Sequence, residues 1–185
     1  NDQNISSITY PDLIDYPTGK TEQPATVIQT AQQPYQWQVG AFQRPAKKDM
    51  IIYELLIRDF LSLHDYQTLE DTPNYLKTLG VNDIELMTVM EFEGNESWGY
   101  NPSFHVAVDK YYGPKNSLKS FIDKAHQMGM AVVLDMVLNH AYGQSPLVRL
   151  YWDSANNRPA ANNPWFNTVS PNPVFSFGYD FNHER

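Results

Sequence analysis

The sequence predicts an α/β fold, a parallel sheet with helices packed outside it. Three observations carry that reading. Apolar runs of strand length recur at residues 49–60, 83–90 and 130–138; two segments with helical spacing separate them; and the third run, MAVVLDMVL, is apolar almost throughout, as a strand covered on both faces must be. Strand, helix, strand, helix, strand implies right-handed parallel crossovers. At this level two architectures fit, a doubly wound sheet or part of a (β/α)8 barrel. A dinucleotide site is disfavoured, since no Gly-rich turn of the GxGxxG kind follows any of the three runs.

Taken in order, residues 1–49 read as an extended leader or the end of an upstream accessory module. Pro11, Pro17, Pro24, Pro34 and Pro45 punctuate it, and Pro interrupts helices and central strands alike. Residues 50–140 form the repeating unit. The run DMIIYELLIRDF is the first strand. A helix follows near 69–79, where Leu69, Tyr75, Leu76 and Leu79 could share a face and Gly80 can stop it. Pro73 inside that helix would cost about 3 kcal/mol, whereas Thr72 as N-cap puts Pro73 at the favoured first helical position; the shorter helix is preferred. DIELMTVM is the second strand and EFEGNESWGYNPS the loop after it. The second helix spans about 116–128, with Leu118, Phe121, Ile122, Ala125 and Met128 on one stripe and Gly129 at its end. Residues 141–185, rich in Asn, Pro and aromatics, are too long for a simple connection and read as a functional excursion after strand three.

Composition narrows the chemistry. Thirteen basic against 21 acidic residues give a net charge of −8, which argues against a nucleic-acid partner held through phosphates. Absence of Cys removes disulfides, thiolate metal sites and Cys nucleophiles together. There is no 18-residue apolar run, and the N-terminus NDQNISSITY has neither the basic start nor the apolar core of a signal peptide, so any targeting segment would already be gone. Few charged residues (18%) beside many aromatics (14%) suit a neutral, polyhydroxylated ligand such as a sugar.

In either parallel architecture the site forms at the C-terminal ends of the strands. Strand one delivers Glu54, Arg58 and Asp59 there; strand two Glu91 and the Trp98-Gly99-Tyr100 loop; strand three Asp135, Asn139 and His140; the excursion Trp165, Asp180 and Asn182. Asp135 interrupts an apolar strand, and a buried carboxylate there needs a partner; a capped strand end with a satisfied Asp is the plainer alternative. Tyr100 is equally readable as a sugar platform or a loop anchor. Glu91 and Glu93 read as solvated loop carboxylates. His64, His105, His126 and His183 have no metal-ligand spacing and receive no role.

These residues carry a resemblance. DMVLNH, Asp135 to His140, is similar to the first conserved stretch of the α-amylase family of glycoside hydrolases. IIYELLIRDF resembles that family's first barrel strand, GVNDIELMTVMEFEGNESWGYNP its second strand and loop, and YYGPKNSLKSFIDKAHQMGMAVVLDMVLNH its second helix and third strand; YDFN resembles a further short motif. The match runs from about residue 50 to 152. The resemblance implies an incomplete (β/α)8 TIM barrel, the first three strands with a long domain-B-like insertion, from a retaining enzyme acting on α-glucans such as starch, glycogen or maltodextrin. A glucan transglycosylase or branching enzyme, and a non-catalytic carbohydrate-binding module using Trp98, Tyr100, Trp152 and Trp165, are the alternatives.

By position, the resemblance makes Tyr100 the ring that stacks on the sugar at the cleaved bond, with Trp98 beside it, His140 the imidazole that hydrogen-bonds a sugar hydroxyl, and Asp135 a buried carboxylate bracing the centre. It makes Asn139 and Asp180 contributors to a Ca2+ site, oxygen ligands for a hard cation. Thr88 stands where the family usually has Pro, Val108 where Pro is common, and Pro73 where an ordinary helix residue is more usual. The nucleophile and acid/base of a retaining mechanism would come from later strands, so the chain alone is expected to be inactive. Strands one and three are expected to lack their barrel neighbours, which predicts self-association or pairing with the missing barrel half. The resemblance also points to an extracellular or periplasmic setting.

Overall fold

A computed structural model describes residues 33–94 and 96–184. The sheet predicted from the three apolar runs is present: β1 (Ile52–Leu55), β2 (Asp83–Leu86) and β5 (Ala131–Leu134) are parallel, in the order β1-β2-β5. Leu55, Leu86 and Leu134 lie in one register row. The two connections carry the helices α3 (Pro73–Thr78) and α4 (Lys115–Gln127). No helix among the described residues is long and apolar enough to cross a membrane.

Both helices stop where the glycines predict. Gly80 and Gly129 take φ of +83° and +74°, and the chain reverses through paired bonds: Val81 N–H to Leu76 O and Gly80 N–H to Lys77 O in one case, Met130 N–H to Ala125 O and Gly129 N–H to His126 O in the other. Pro73 occupies the first turn of α3 with Thr72 at the N-cap. The predicted apolar face of that helix is not observed. Of the four residues assigned to it, Leu76 is buried within α3, Leu69 is buried in a separate turn, α2 (Tyr66–Leu69), and Tyr75 and Leu79 are exposed. In α4 the stripe is as expected, with Leu118, Phe121 and Ala125 buried and Ile122 and Met128 partly buried against the same core. That core fills the space between sheet and helices, with Leu55, Ile84, Leu86, Phe121 and Met130 at its centre.

The first run divides after four residues. Beyond β1 the chain turns into α1 (Ile57–Phe60), which buries Ile57. The second run ends in the sheet at Leu86. Met90 already belongs to β3 (Met90–Phe92), which pairs antiparallel with β4 (Pro102–Val108). The segment between them, expected to be a plain loop, is therefore a long hairpin. The third run is shorter than predicted: Asp135 N–H still bonds Leu86 O at 2.9 Å, but β2 offers no ladder partner beyond that residue, so 136–139 leave the sheet. The outer strands β1 and β5 keep apolar residues in solvent, Ile52 and Leu134 among them.

The excursion has its own small core. Ala141, Val148 and Phe166 are buried, with Trp152, Trp165, Tyr179 and Phe181 packed around them. β6 (His140–Ala141) pairs antiparallel with β9 (Tyr179–Asp180), closing the excursion back on the end of the third run. Between them lie α5 (Pro146–Arg149) and the short pair β7 (Trp152–Asp153) and β8 (Arg158–Pro159). Asn163, fully buried, accepts from the N–H groups of Trp165 and Phe166 and donates to the carbonyls of Leu147 and Tyr151. One satisfied amide thereby fixes four points of an irregular segment.

Most of the predicted leader lies outside the described residues. The part from residue 33 onward rests on α4: Asp123 accepts from Gln38 N–H at 2.7 Å, Val39 N–H at 3.0 Å and the Tyr35 hydroxyl at 3.3 Å, and Phe42 stacks on His126 with ring centroids 4.0 Å apart. Burial pushes the Asp123 carboxyl up, but these donors outweigh it and hold it below the usual carboxylate value.

Candidate functional site

The C-terminal end of β5, the loop inside the β3/β4 hairpin and the start of β6 converge on Tyr100, Asp135 and His140. The Tyr100 hydroxyl donates to Asp135 Oδ2 at 2.6 Å, and His140 Nε2 lies 2.8 Å from the Tyr100 carbonyl. A carbonyl only accepts, so Nε2 carries the proton in this contact. The bond to Asp135, assisted by burial, raises the Tyr100 phenol to about 12. Asp135 has the partner its position demands. It sits half-buried just past the end of β5 rather than inside a strand, as the sequence had suggested.

Two open grooves meet at this cluster, and Tyr100 and His140 line both. One, of about 540 Å3, continues over Met136, Leu138, Asn139 and His183. The other, of about 490 Å3, continues over Ser97, Trp98, Asn101, Tyr142 and Phe177. Trp98 is 58% exposed.

The loop that presents Trp98 and Tyr100 is tied down from below. Thr88, fully buried, donates its hydroxyl to the Trp98 carbonyl at 2.8 Å. Gly99 has φ +90°, and a Cβ there would lie 1.6 Å from Thr88 Oγ1; only glycine allows this approach. Asn101 donates to Glu93 O, and the Ser97 hydroxyl, which hydrogen-bonds Asn101 Oδ1, accepts from Gly99 N–H.

Other predicted residues fall elsewhere. Arg58 and Asp59 pair with each other at 2.6 Å on α1, away from both grooves. Glu54 is exposed at the end of β1 and acts on Tyr100 through its charge. Trp165 packs edge-on to Tyr151 in the excursion's core, and Trp152 packs against Tyr179 beneath the Arg149 guanidinium; neither lines a groove described above. Asn182 accepts from Glu184 N–H and so caps a local turn.

Glu91 corrects the reading of it as a solvated carboxylate. It is 1% exposed and takes both the Lys110 ammonium and the Lys110 N–H at 2.8 Å. Lys110 stands 19 residues away, so no local pattern exposes the pair. Glu93, on the adjoining turn, is half-buried. Two histidines given no role also matter. His183 lines the first groove. His105 packs edge-on to the Phe181 ring with centroids 5.1 Å apart, and burial holds its pKa below the ordinary value, with the nearby backbone of Val137 and His140 pulling the other way.

Across the β6/β9 ladder Asp180 pairs with His140, while Asn139, one row further on, stands opposite Phe181, whose N–H bonds Asn139 O. The donor chemistry of Asn139 and Asp180 is oxygen-only, as Ca2+ requires, but two side chains fall well short of the roughly six to eight ligands it takes. Asp180 already accepts from Asn167 and Ser170. No group of three or more His, Asp or Glu side chains among the described residues is placed to hold a metal. The described residues do not by themselves fit a calcium site.

Residues 41–179 match the family model for the alpha amylase catalytic domain. The chain is 36% identical over 106 residues to malto-oligosyltrehalose trehalohydrolase of Saccharolobus solfataricus, covering 57% of this chain and 19% of that protein. It is 34% identical over 128 residues to the 1,4-alpha-glucan branching enzyme of Halothermothrix orenii, covering 64% and 20%. It therefore spans about a fifth of the length of these curated relatives. An alpha-amylase-like protein of Salmonella typhimurium superposes with a TM-score of 0.63 at 28% identity, over 76% of this chain and 25% of that one. The chain belongs to the alpha-amylase catalytic-domain family, and its three parallel strands correspond to part of that family's TIM barrel.

Proposed function

We propose that this chain supplies the sugar-binding wall of a site at which an α-glucan is cleaved by a retaining glycoside hydrolase. The observation that carries the reading is the Tyr100–Asp135–His140 cluster at the junction of the two grooves. A glucosyl ring offers a C–H face and a rim of hydroxyls. The Tyr100 ring takes the face; the Asp135 carboxylate, by accepting from the phenol, fixes that ring's tilt. His140 holds the Tyr100 main chain through Nε2–H, and a sugar hydroxyl approaching Tyr100 shares that proton.

Retention requires two carboxyl groups about 5 to 5.5 Å apart, a nucleophile and an acid/base. We assign neither role within this chain. Asp135, engaged by the Tyr100 phenol, acts as a brace and not as a member of the reacting pair. Transfer to a sugar acceptor in place of water is the second reading, supported by the likeness to a branching enzyme; both routes share the glycosyl-enzyme step and use the same wall.

The test is to hold the 185-residue chain against soluble starch, following new reducing ends and mobility in a starch-containing gel. Retention in the gel without sustained release is expected. Sustained release would overturn the assignment of neither reacting role within this chain, and unretarded migration would overturn the binding wall.

A further inference from the structure

The family match says nothing of how a glucan chain runs past Tyr100, and the two grooves that meet there differ in chemistry. The first is floored by Met136, Val137 and Leu138. In the second the polar side chains Ser97 and Asn101 are committed to each other and to the loop's own backbone. What it offers a ligand is a set of ring faces, from Trp98, Tyr142 and Phe177, and no Asp, Glu, Lys or Arg lines it. Such a surface selects a neutral ligand with flat apolar faces.

Phe177 is the unexpected member. It is 58% exposed and lines the groove together with Trp98 and Tyr142. Its position is fixed by its neighbours in sequence. Gly178 has φ +58°, and a Cβ there would lie 2.6 Å from Ala141 O and 3.1 Å from the Tyr142 ring. That close approach, followed at once by the β9 pairing of Tyr179 with Ala141, presses the excursion onto the rim of the site and leaves Phe177 on the groove. Phe175, 65% exposed, lies beside it with ring centroids 6.4 Å apart.

We infer that Phe177 is a glucan-binding residue: the glucosyl unit next to the one on Tyr100 stacks on its ring, so that the chain runs into the Trp98–Phe177 groove and not over Asn139 and His183. The inference rests on the sugar-binding reading of Tyr100. It makes the excursion after strand three a determinant of how many glucosyl units are held.

Calorimetric titration of the 185-residue chain with maltose and with maltotetraose tests it. The unaltered chain binds maltotetraose more tightly than maltose. Phe177→Ala weakens maltotetraose about tenfold, the loss expected for truncating an aromatic contact at a binding surface, and narrows the difference between the two sugars; Phe177→Trp keeps it. Tyr100→Ala weakens both sugars. Equal maltotetraose affinity in Phe177→Ala and the unaltered chain, with Tyr100→Ala still impaired, overturns the Phe177 assignment and leaves the Tyr100 reading standing. Failure of the unaltered chain to bind either sugar overturns both. An unchanged circular-dichroism spectrum and melting temperature in Phe177→Ala are expected of so exposed a side chain; loss of fold there would shift the decision to Phe177→Leu, read by the same ratio.

Discussion

The Tyr100 hydroxyl and the Asp135 carboxylate, 35 residues apart in the chain, meet at 2.6 Å. The contact joins the loop that carries the exposed rings to the end of the third parallel strand, so a platform on a connecting loop takes its tilt from the sheet. Its pH behaviour follows from the proton. The phenol is raised from 10.0 to about 12, first by the bond to Asp135 and then by burial, so the folded state keeps a proton that the unfolded chain loses sooner. The contribution is complete below pH 10 and is lost as pH climbs to 12. Tyr100→Phe removes it at every pH, at a cost of about 1 kcal/mol, below the usual range for a bond to a charged group because a residue 38% exposed is screened by water. Urea unfolding of both proteins should show a gap that is constant from pH 6 to 9 and closes toward pH 12; a gap that persists at pH 12 would count against the assignment.

Thr88 stands where the resembling family usually has Pro, and the exchange has a visible purpose here. Its hydroxyl holds the Trp98 carbonyl from below. Thr88→Val keeps the shape and strands that carbonyl, so we expect a loss of about 1–2 kcal/mol together with weaker maltotetraose binding, since the loop that displays Trp98 is released. Gly99→Ala should cost more, because its Cβ collides with the same hydroxyl at a φ of +90°. Calorimetric melting ranks the two; a Gly99→Ala protein as stable as the parent would contradict the described loop.

What could be read in the sequence was local. The two Gly stops, the start of α3 at Pro73 and the apolar stripe of α4 are set by neighbours three or four positions away, and all are found. Two of the errors share a cause. Met90–Phe92 and Pro102–Val108 form a ladder across an intervening loop whose residues suggest no strand, and the buried Glu91 meets Lys110, two residues past the end of that ladder. The members of the site could be proposed, but not their couplings: that Asp135 serves Tyr100, that His140 holds a carbonyl, and that Phe177 reaches the groove are facts of tertiary approach.

The Glu91–Lys110 pair is the deepest ion pair described, each side chain 1% exposed. Lys110 also donates to Gly94 O at 3.1 Å and lies over the rings of Phe92 and Tyr111. Removing one partner leaves an uncompensated buried charge. Lys110→Met should therefore destabilise by about 3–5 kcal/mol, while adding Glu91→Leu should recover much of the loss. Double-mutant unfolding measures the coupling; strict additivity would mean the two groups do not interact in solution.

Asp109, beside that pair, contributes in the opposite sense. Its carboxyl is driven from 3.8 up to about 8, by burial first and by the charge of Glu91 second, with Lys110 and the Tyr111 N–H pulling the other way. The folded protein thus holds a proton between those values that the unfolded chain has already released. Stability from this group is complete below about pH 4 and is lost as pH rises through 8. Asp109→Asn keeps the shape and the acceptor for Tyr111 N–H, 2.9 Å away in the parent, but has nothing to titrate. Its stability should fall less than the parent's between pH 5 and pH 8, and the variant should be the more stable of the two at pH 8. Unfolding by urea at both pH values decides it: parallel losses in the two proteins would show that Asp109 is ionised throughout and that the Glu91–Lys110 pair accommodates its charge.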